Sequence, residues 1–191
     1  MKIILASASE RRKELLLRLT EAFEVMVSDF NEDSVKFNGD CKDFVKTLAF
    51  GKARNVSEKL SYPAIIIGCD TIVFHNNKVL GKPKDKKDAF YMLKDLSGSR
   101  HEVYSGITLI NTCNNEVVQD FSRTEVYFSK LSDEQILEYV ESNEPMDKAG
   151  AYGIQGYGGI FVEKISGCYY NVVGLPINKL YFLLKGMGVN L

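Results

Sequence analysis

Residues 64–74 read AIIIGCDTIVF, and this stretch decides the fold. Ile65, Ile66, Ile67, Ile72 and Val73 are β-branched and follow no polar alternation, the pattern of a strand covered on both faces. Asp70 interrupts it. A carboxylate in apolar surroundings is costly unless it is paired, hydrogen-bonded or on a metal. The strand is therefore expected to carry Asp70 to a site; the plain alternative is an aspartate capping a neighbouring turn.

Immediately downstream, residues 75–78 (HNNK) read as a turn and 79–83 (VLGKP) as a short return strand that Pro83 stops. A hairpin closed at HNNK would fold Lys82 back toward Asp70, and His75 reads as a solvated turn residue. Upstream, Cys41–Leu60 reads as a helix with Val45, Leu48, Ala49, Val56 and Leu60 on one apolar stripe. Lys52 falls inside that stripe, four residues after Leu48 and four before Val56. A lysine there either snorkels to water or points its ammonium into a site.

Further toward the N-terminus, Lys2–Ala6 is a short apolar strand and Ser9 is a fitting N-cap for the helix after it. The first turn of a helix favours acids, because its free N–H groups form the positive end. Here Arg11 and Arg12 follow Glu10. Strand, small-residue turn, helix start and two arginines together describe an anion site, most simply for phosphate; solvated arginines on an exposed helix are the alternative. Phe23–Val27 reads as a strand, and the acidic loop 28–34 after it holds Glu32.

Toward the C-terminus the pattern changes from alternating strands and helices to hairpins. Lys86–Leu96 reads as a helix closed by Gly98. His101–Ile110 and Glu116–Phe128 read as a long hairpin forming the sheet of a second lobe. Ser132 and Gln135 form a capping box at the head of another helix. Residues 146–159 (MDKAGAYGIQGYGG) are glycine-rich, as where backbone approaches a ligand or another segment, although ordinary tight turns look the same. Ile160–Ile165 and Cys168–Val173 read as a hairpin around Ser166 and Gly167, and Pro176 as N1 of a last helix. The expected class is α/β, a mixed sheet with helices around it, in a single domain over residues 1–191.

Composition narrows the function. The 191 residues are 45% hydrophobic and 26% charged with a net charge of −1, which argues against a general nucleic-acid surface. The four cysteines form no CxxC pair and no disulfide framework, which fits a reducing cytoplasm. No run approaches the roughly 20 apolar residues of a membrane span. With only His75 and His101 and no GxSxG, a serine or cysteine hydrolase triad has little to build on. There is no GxxxxGK[ST]. The residues that break local rules are Arg11, Arg12, Lys52, Asp70 and Lys82, supported by Glu32 and Gln155. Several cations with one or two acids suit a polyphosphate and a divalent metal, because magnesium takes one or two carboxylates plus substrate phosphates.

SASERRKELL (7–16), FGKA (50–53), GCDTIV (68–73), GKP (81–83), SGSRHEVYSG (97–106) and DKAGAYGIQGYGGIFVEKISGCYYNVVGLP (147–176) together resemble the Maf family of nucleoside triphosphate pyrophosphatases, over nearly the whole chain. The resemblance implies an elongated, twisted mixed sheet flanked by helices, with two lobes around a nucleotide cleft. It implies hydrolysis between the α- and β-phosphates to a nucleoside monophosphate and pyrophosphate. It makes Asp70 the catalytic base, assigns Glu32 and Asp70 to a divalent metal (Mg²⁺ or Mn²⁺), and assigns Arg11, Arg12, Lys52 and Lys82 to the phosphates. Ile154-Gln155-Gly156 resembles the dTTP/UTP branch, in which Arg11, Thr71 and Gln155 fall at positions tied to substrate choice. It also implies a homodimer. Glu10 stands where the family usually has proline, and Ser105 where it commonly has threonine. Two other readings stay open: a nucleotide-binding regulator of cell division, and a hydrolase of non-standard purine triphosphates.

Overall fold

The computed structural model describes all 191 residues. Its strands are β1 (Lys2–Leu5), β2 (Phe23–Val25), β3 (Ala64–His75), β4 (Lys78–Leu80), β5 (Arg100–Asn111), β6 (Glu116–Phe128) and β7 (Val162–Ser166). Its helices are α1 (Glu10–Leu17), α2 (Cys41–Ser57), α3 (Lys86–Leu96), α4 (Asp133–Glu141), α5 (Tyr169–Val173) and α6 (Ile177–Gly186). The strands form one sheet in the order β2-β1-β3-β5-β6-β7, with β4 on β3. β1 runs parallel to both β2 and β3, whereas β4 on β3 and β7 on β6 are antiparallel, so the sheet is mixed as expected. No helix is long and apolar enough to cross a membrane.

The chain divides into two compact units, 1–70 with 105–122 and 174–191, and 71–104 with 123–173. The long β5–β6 hairpin, expected to build a separate lobe, instead belongs to the common sheet and contributes residues to both units.

In the first unit, Ile4 of β1, Ile66 of β3 and Ala53 and Val56 of α2 are fully buried together. Asp40 caps α2, its carboxylate accepting from Lys42 N at 2.7 Å and Asp43 N at 3.3 Å. The helix lies against the sheet at two glycines. A Cβ on Gly68 would sit 2.2 Å from the Ala49 carbonyl oxygen, and one on Gly106 would sit 2.2 Å from that of Val45. Only a residue without a side chain allows so close an approach.

In the second unit, α3 and α4 pack with Val73, Val103, Phe128 and Phe161. The HNNK turn closes the β3–β4 hairpin with Asn76 and Asn77 at φ 47° and 61°, the left-handed pair that a tight two-residue hairpin loop demands. His75 is not solvated. It is the last residue of β3, 7% exposed, with Nδ1 3.1 Å from the Arg100 carbonyl and Nε2 2.9 Å from Asn76 Nδ2. Residues 168–173 do not form the second strand of a hairpin. Gly167, at φ 135°, turns the chain, and Thr124 Oγ1 accepts from Cys168 N at 3.0 Å and from Asn171 Nδ2 at 2.9 Å, which winds the segment into α5. β7 pairs with β6 instead. Pro176 is the N-cap of α6 rather than its first residue.

His101 is 1% exposed in the same core, with Nε2 2.8 Å from the Tyr152 hydroxyl and Nδ1 without a partner. Burial, with a smaller contribution from His75, pushes its pKa down to about 3. The native state therefore holds the ring neutral, while the unfolded state takes up a proton below about pH 6.5. Stability should fall from this residue alone by up to about 1.4 kcal/mol per pH unit as pH drops from about 6.5 toward 3. Urea unfolding at pH 7 and pH 5 checks this. The pH dependence should be shallower in His101→Gln, and an equal slope would contradict it.

Candidate active site

Lys52 enters the interior from α2 and its Nζ lies on two carboxylates. It donates to Asp70 Oδ1 and stands 2.9 Å from Glu32 Oε1. The Lys52 side chain is 13% exposed and that of Asp70 8%. Of the two readings of a lysine in an apolar stripe, snorkelling and pointing inward, the structure shows the second. Gly68 explains the reach. It brings α2 onto β3 near Ala49, and one helical turn further along the helix Lys52 meets Asp70, two residues beyond Gly68 on the strand.

Glu32 arrives from a loop strapped to the same helix. Asn55 Oδ1 accepts from Ser28 Oγ and from Asp29 N, each at 3.1 Å. The tip of the Phe30 ring abuts Gly51, where a Cβ would come within 2.3 Å of Phe30 Cζ. Asn31 then caps the short 3₁₀ turn Glu32–Ser34. Reading the sequence missed Asn55 and Gly51. The signal available was a glycine and an asparagine flanking Lys52 on a helix that favours neither.

Arg11 and Arg12 stand in the first turn of α1, and Ser9 Oγ accepts from Arg12 N at 3.4 Å as the cap. Arg12 Nε donates to the Gly174 carbonyl at 2.9 Å and Nη1 to Ser7 Oγ at 3.3 Å, so its guanidinium is anchored. Glu10, at the position usual for proline, is exposed and pairs with Lys13 at 3.5 Å. Cys69 lies within the field of these groups. Burial pushes its thiol up, Arg12 and Lys52 pull it down, and Asp70 pushes it up again. With a raised pKa and its Sγ 3.3 Å from the Gly174 carbonyl, Cys69 is a packed thiol and not a nucleophile.

The structure thus brings Lys52, Asp70 and Glu32 together, with Arg11 and Arg12 in the same unit. Thr71 begins the second unit and leaves β3 from the face opposite Asp70. Lys82 and Gln155 belong to the second unit, and both side chains are exposed. The backbone beside Lys82 is tied by Gly150 N donating to the Gly81 carbonyl at 3.0 Å. Nowhere do three or more His, Cys, Asp or Glu side chains cluster as a self-sufficient metal cage. Two carboxylates held on one cation are a donor set that fits a hard divalent ion completing its shell with phosphate oxygens and water.

A mixed α/β sheet that buries an aspartate against a helix lysine, with an acidic loop and an arginine-bearing helix start in the same unit, is the outline of a phosphate-handling enzyme. The chain belongs to the Maf-like protein family, whose model matches residues 2–187. It is 61% identical to the dTTP/UTP pyrophosphatase of Clostridium tetani over 100% of both chains, and 59% identical to that of Clostridium novyi over 100% of both. Its fold is similar to that of the Staphylococcus aureus Ham1 protein, at a TM-score of 0.50 and 16% identity over 98% of this chain and 100% of that one.

Removing one member of a buried ion pair leaves the other charge uncompensated, at about 3 kcal/mol or more. Lys52→Met should lose about that much stability in urea unfolding, and Lys52→Met with Asp70→Asn should recover most of it. Equal losses in the single and double variants would show that the pair is not the cause. Gly68→Ala should cost about 2 kcal/mol or more by driving α2 off the sheet. Gly186→Ala, with nothing within 4 Å of the new methyl, should be neutral or stabilising in the same assay.

Proposed function

We propose that this chain is a nucleoside triphosphate pyrophosphatase that hydrolyses dTTP and UTP to the nucleoside monophosphate and pyrophosphate. The observation that carries the reading is the full-length match, at 61% and 59% identity, to proteins named dTTP/UTP pyrophosphatase. The shared ammonium of Lys52 supports it, because it fixes two carboxylates around one cation where phosphoryl chemistry needs preorganised charge.

In the proposed reaction Asp70 accepts a proton from a water whose oxygen attacks the α-phosphorus. The bond between the α-phosphorus and the bridging oxygen breaks, and its electron pair leaves on pyrophosphate. Lys52 offers its ammonium to a phosphate oxygen, and Arg11, Arg12 and Lys82 neutralise the charge that moves onto the leaving group. Arg12 is fixed by Gly174 and Ser7, so little reorganisation is needed in the transition state. Glu32 and Asp70 would hold a divalent cation, Mg²⁺ or Mn²⁺, which when bound lowers the charge of the triphosphate. Gln155 presents one amide donor and one acceptor, the complement of the donor and acceptor on a uracil or thymine edge. Thr71 and Arg11 are assigned to substrate choice by the family resemblance.

Pyrophosphate release with Mg²⁺ or Mn²⁺ across dTTP, UTP, CTP, GTP, ATP and ITP tests this. Release should be confined to dTTP and UTP, and Asp70→Asn should lower it by about 10²–10⁴-fold. Gln155→Ala should flatten the preference among bases. Nucleotide binding without release under either metal would overturn the reaction, and release from ITP ahead of UTP would overturn the specificity.

A further inference from the structure

The loop that carries Gln155 is assembled around one carboxylate. Glu144 Oε1 accepts from the Tyr139 hydroxyl at 2.8 Å and from Gly158 N at 3.2 Å, and Oε2 accepts from Tyr157 N at 2.9 Å. The Tyr139 oxygen accepts in turn from Gly153 N at 3.1 Å. Three backbone N–H groups, on both sides of Gln155, thereby end on Glu144 directly or through Tyr139. Tyr139 is fully buried on α4 and packs edge-on against Phe161, so the far end of this linkage is rigid. Lys148 Nζ donates to the Glu144 carbonyl at 2.6 Å and fixes the main chain of the glutamate.

Gly156 is explained by this carboxylate, and Gly158 by the Tyr139 hydroxyl bonded to it, 2.5 Å from where a Cβ would stand. A Cβ on Gly156 would lie 2.4 Å from Glu144 Oε1, so any other residue beside Gln155 would collide with the anchor. The carboxyl stays ionised. Burial works to raise its pKa, but the N–H groups of Tyr157 and Gly158 and the Tyr139 hydroxyl outweigh it and the net direction is down. Gln155 itself is exposed at the turn and takes no part in the anchoring set. The loop is held firm on either side of a side chain left available to a ligand.

We propose that Glu144 is a specificity-positioning residue, which by fixing the backbone at 153, 157 and 158 sets where the Gln155 amide is presented and so the discrimination between uracil or thymine and other bases. This rests on the reading of Gln155 given above. Glu144 touches no substrate atom and acts through the loop.

The test is kcat and KM for UTP and CTP in the wild type, Glu144→Gln, Tyr139→Phe, Gln155→Ala and the Glu144→Gln/Gln155→Ala pair. An amide at 144 keeps the volume but can no longer accept from both Tyr157 and Gly158. Glu144→Gln should lower the UTP over CTP ratio of kcat/KM by about tenfold or more, the scale of one charge-assisted hydrogen bond, mainly through KM. Tyr139→Phe, which frees Gly153 N and removes one donor from Glu144 but leaves Tyr157 N and Gly158 N on its carboxylate, should give a smaller loss of the same kind and carries the test if Glu144→Gln does not fold. The double variant should discriminate no worse than Gln155→Ala alone, because both changes act on one interaction. A Glu144→Gln enzyme with lower kcat on both nucleotides and an unchanged ratio would overturn the proposal. If Gln155→Ala flattens the ratio while Glu144→Gln and Tyr139→Phe leave it intact, only the role of Glu144 falls. If Gln155→Ala itself leaves it intact, the reading of Gln155 falls and takes this proposal with it.

Discussion

The close approach of α2 to β3 at Gly68 is the constraint on which the first unit depends. With no side chain there, the helix backbone touches the strand backbone, and Lys52 comes within bonding distance of Asp70. A separation larger by one methyl group would leave a buried carboxylate without its cation, at a cost of several kcal/mol. The same helix carries Gly51 and Asn55, which hold the Glu32 loop. One helix face thus serves as core, as cation donor and as the seat of an acidic loop.

Charge is organised in the same economical way elsewhere. Arg12 spends two donors on Gly174 and Ser7, which fixes its guanidinium before any ligand arrives. In the second unit one carboxylate, Glu144, collects the backbone donors of a glycine-rich loop. In both, the partners of the charged group also fix its geometry, which is how preorganised sites lower the cost of binding a highly charged ligand.

Much of this was legible in the sequence where a local rule stood alone. The β-branched run announced β3, the capping residues Ser9 and Ser132 marked their helices, and Lys52 stood out because its stripe was otherwise apolar. What escaped depended on partners distant in sequence. His75 looked like a turn residue, and only the Arg100 carbonyl makes it a buried one. Residues 168–173 have the β-branched and aromatic content of a strand, but Thr124, 44 residues away, captures Cys168 and starts a helix. Glu144 is an ordinary glutamate in sequence, and its role exists only through Tyr139, Tyr157 and Gly158. The pairing of Glu32 with Lys52 was likewise invisible, because an acid in a surface loop is the commonest of features.

The central claim is that water activated at Asp70 attacks the α-phosphorus. Turnover of UTP in ¹⁸O-labelled water, with mass analysis of both products, tests it most directly. Label confined to the nucleoside monophosphate is the predicted result. Label in pyrophosphate would place the attack on the β-phosphorus and contradict the role assigned to Asp70.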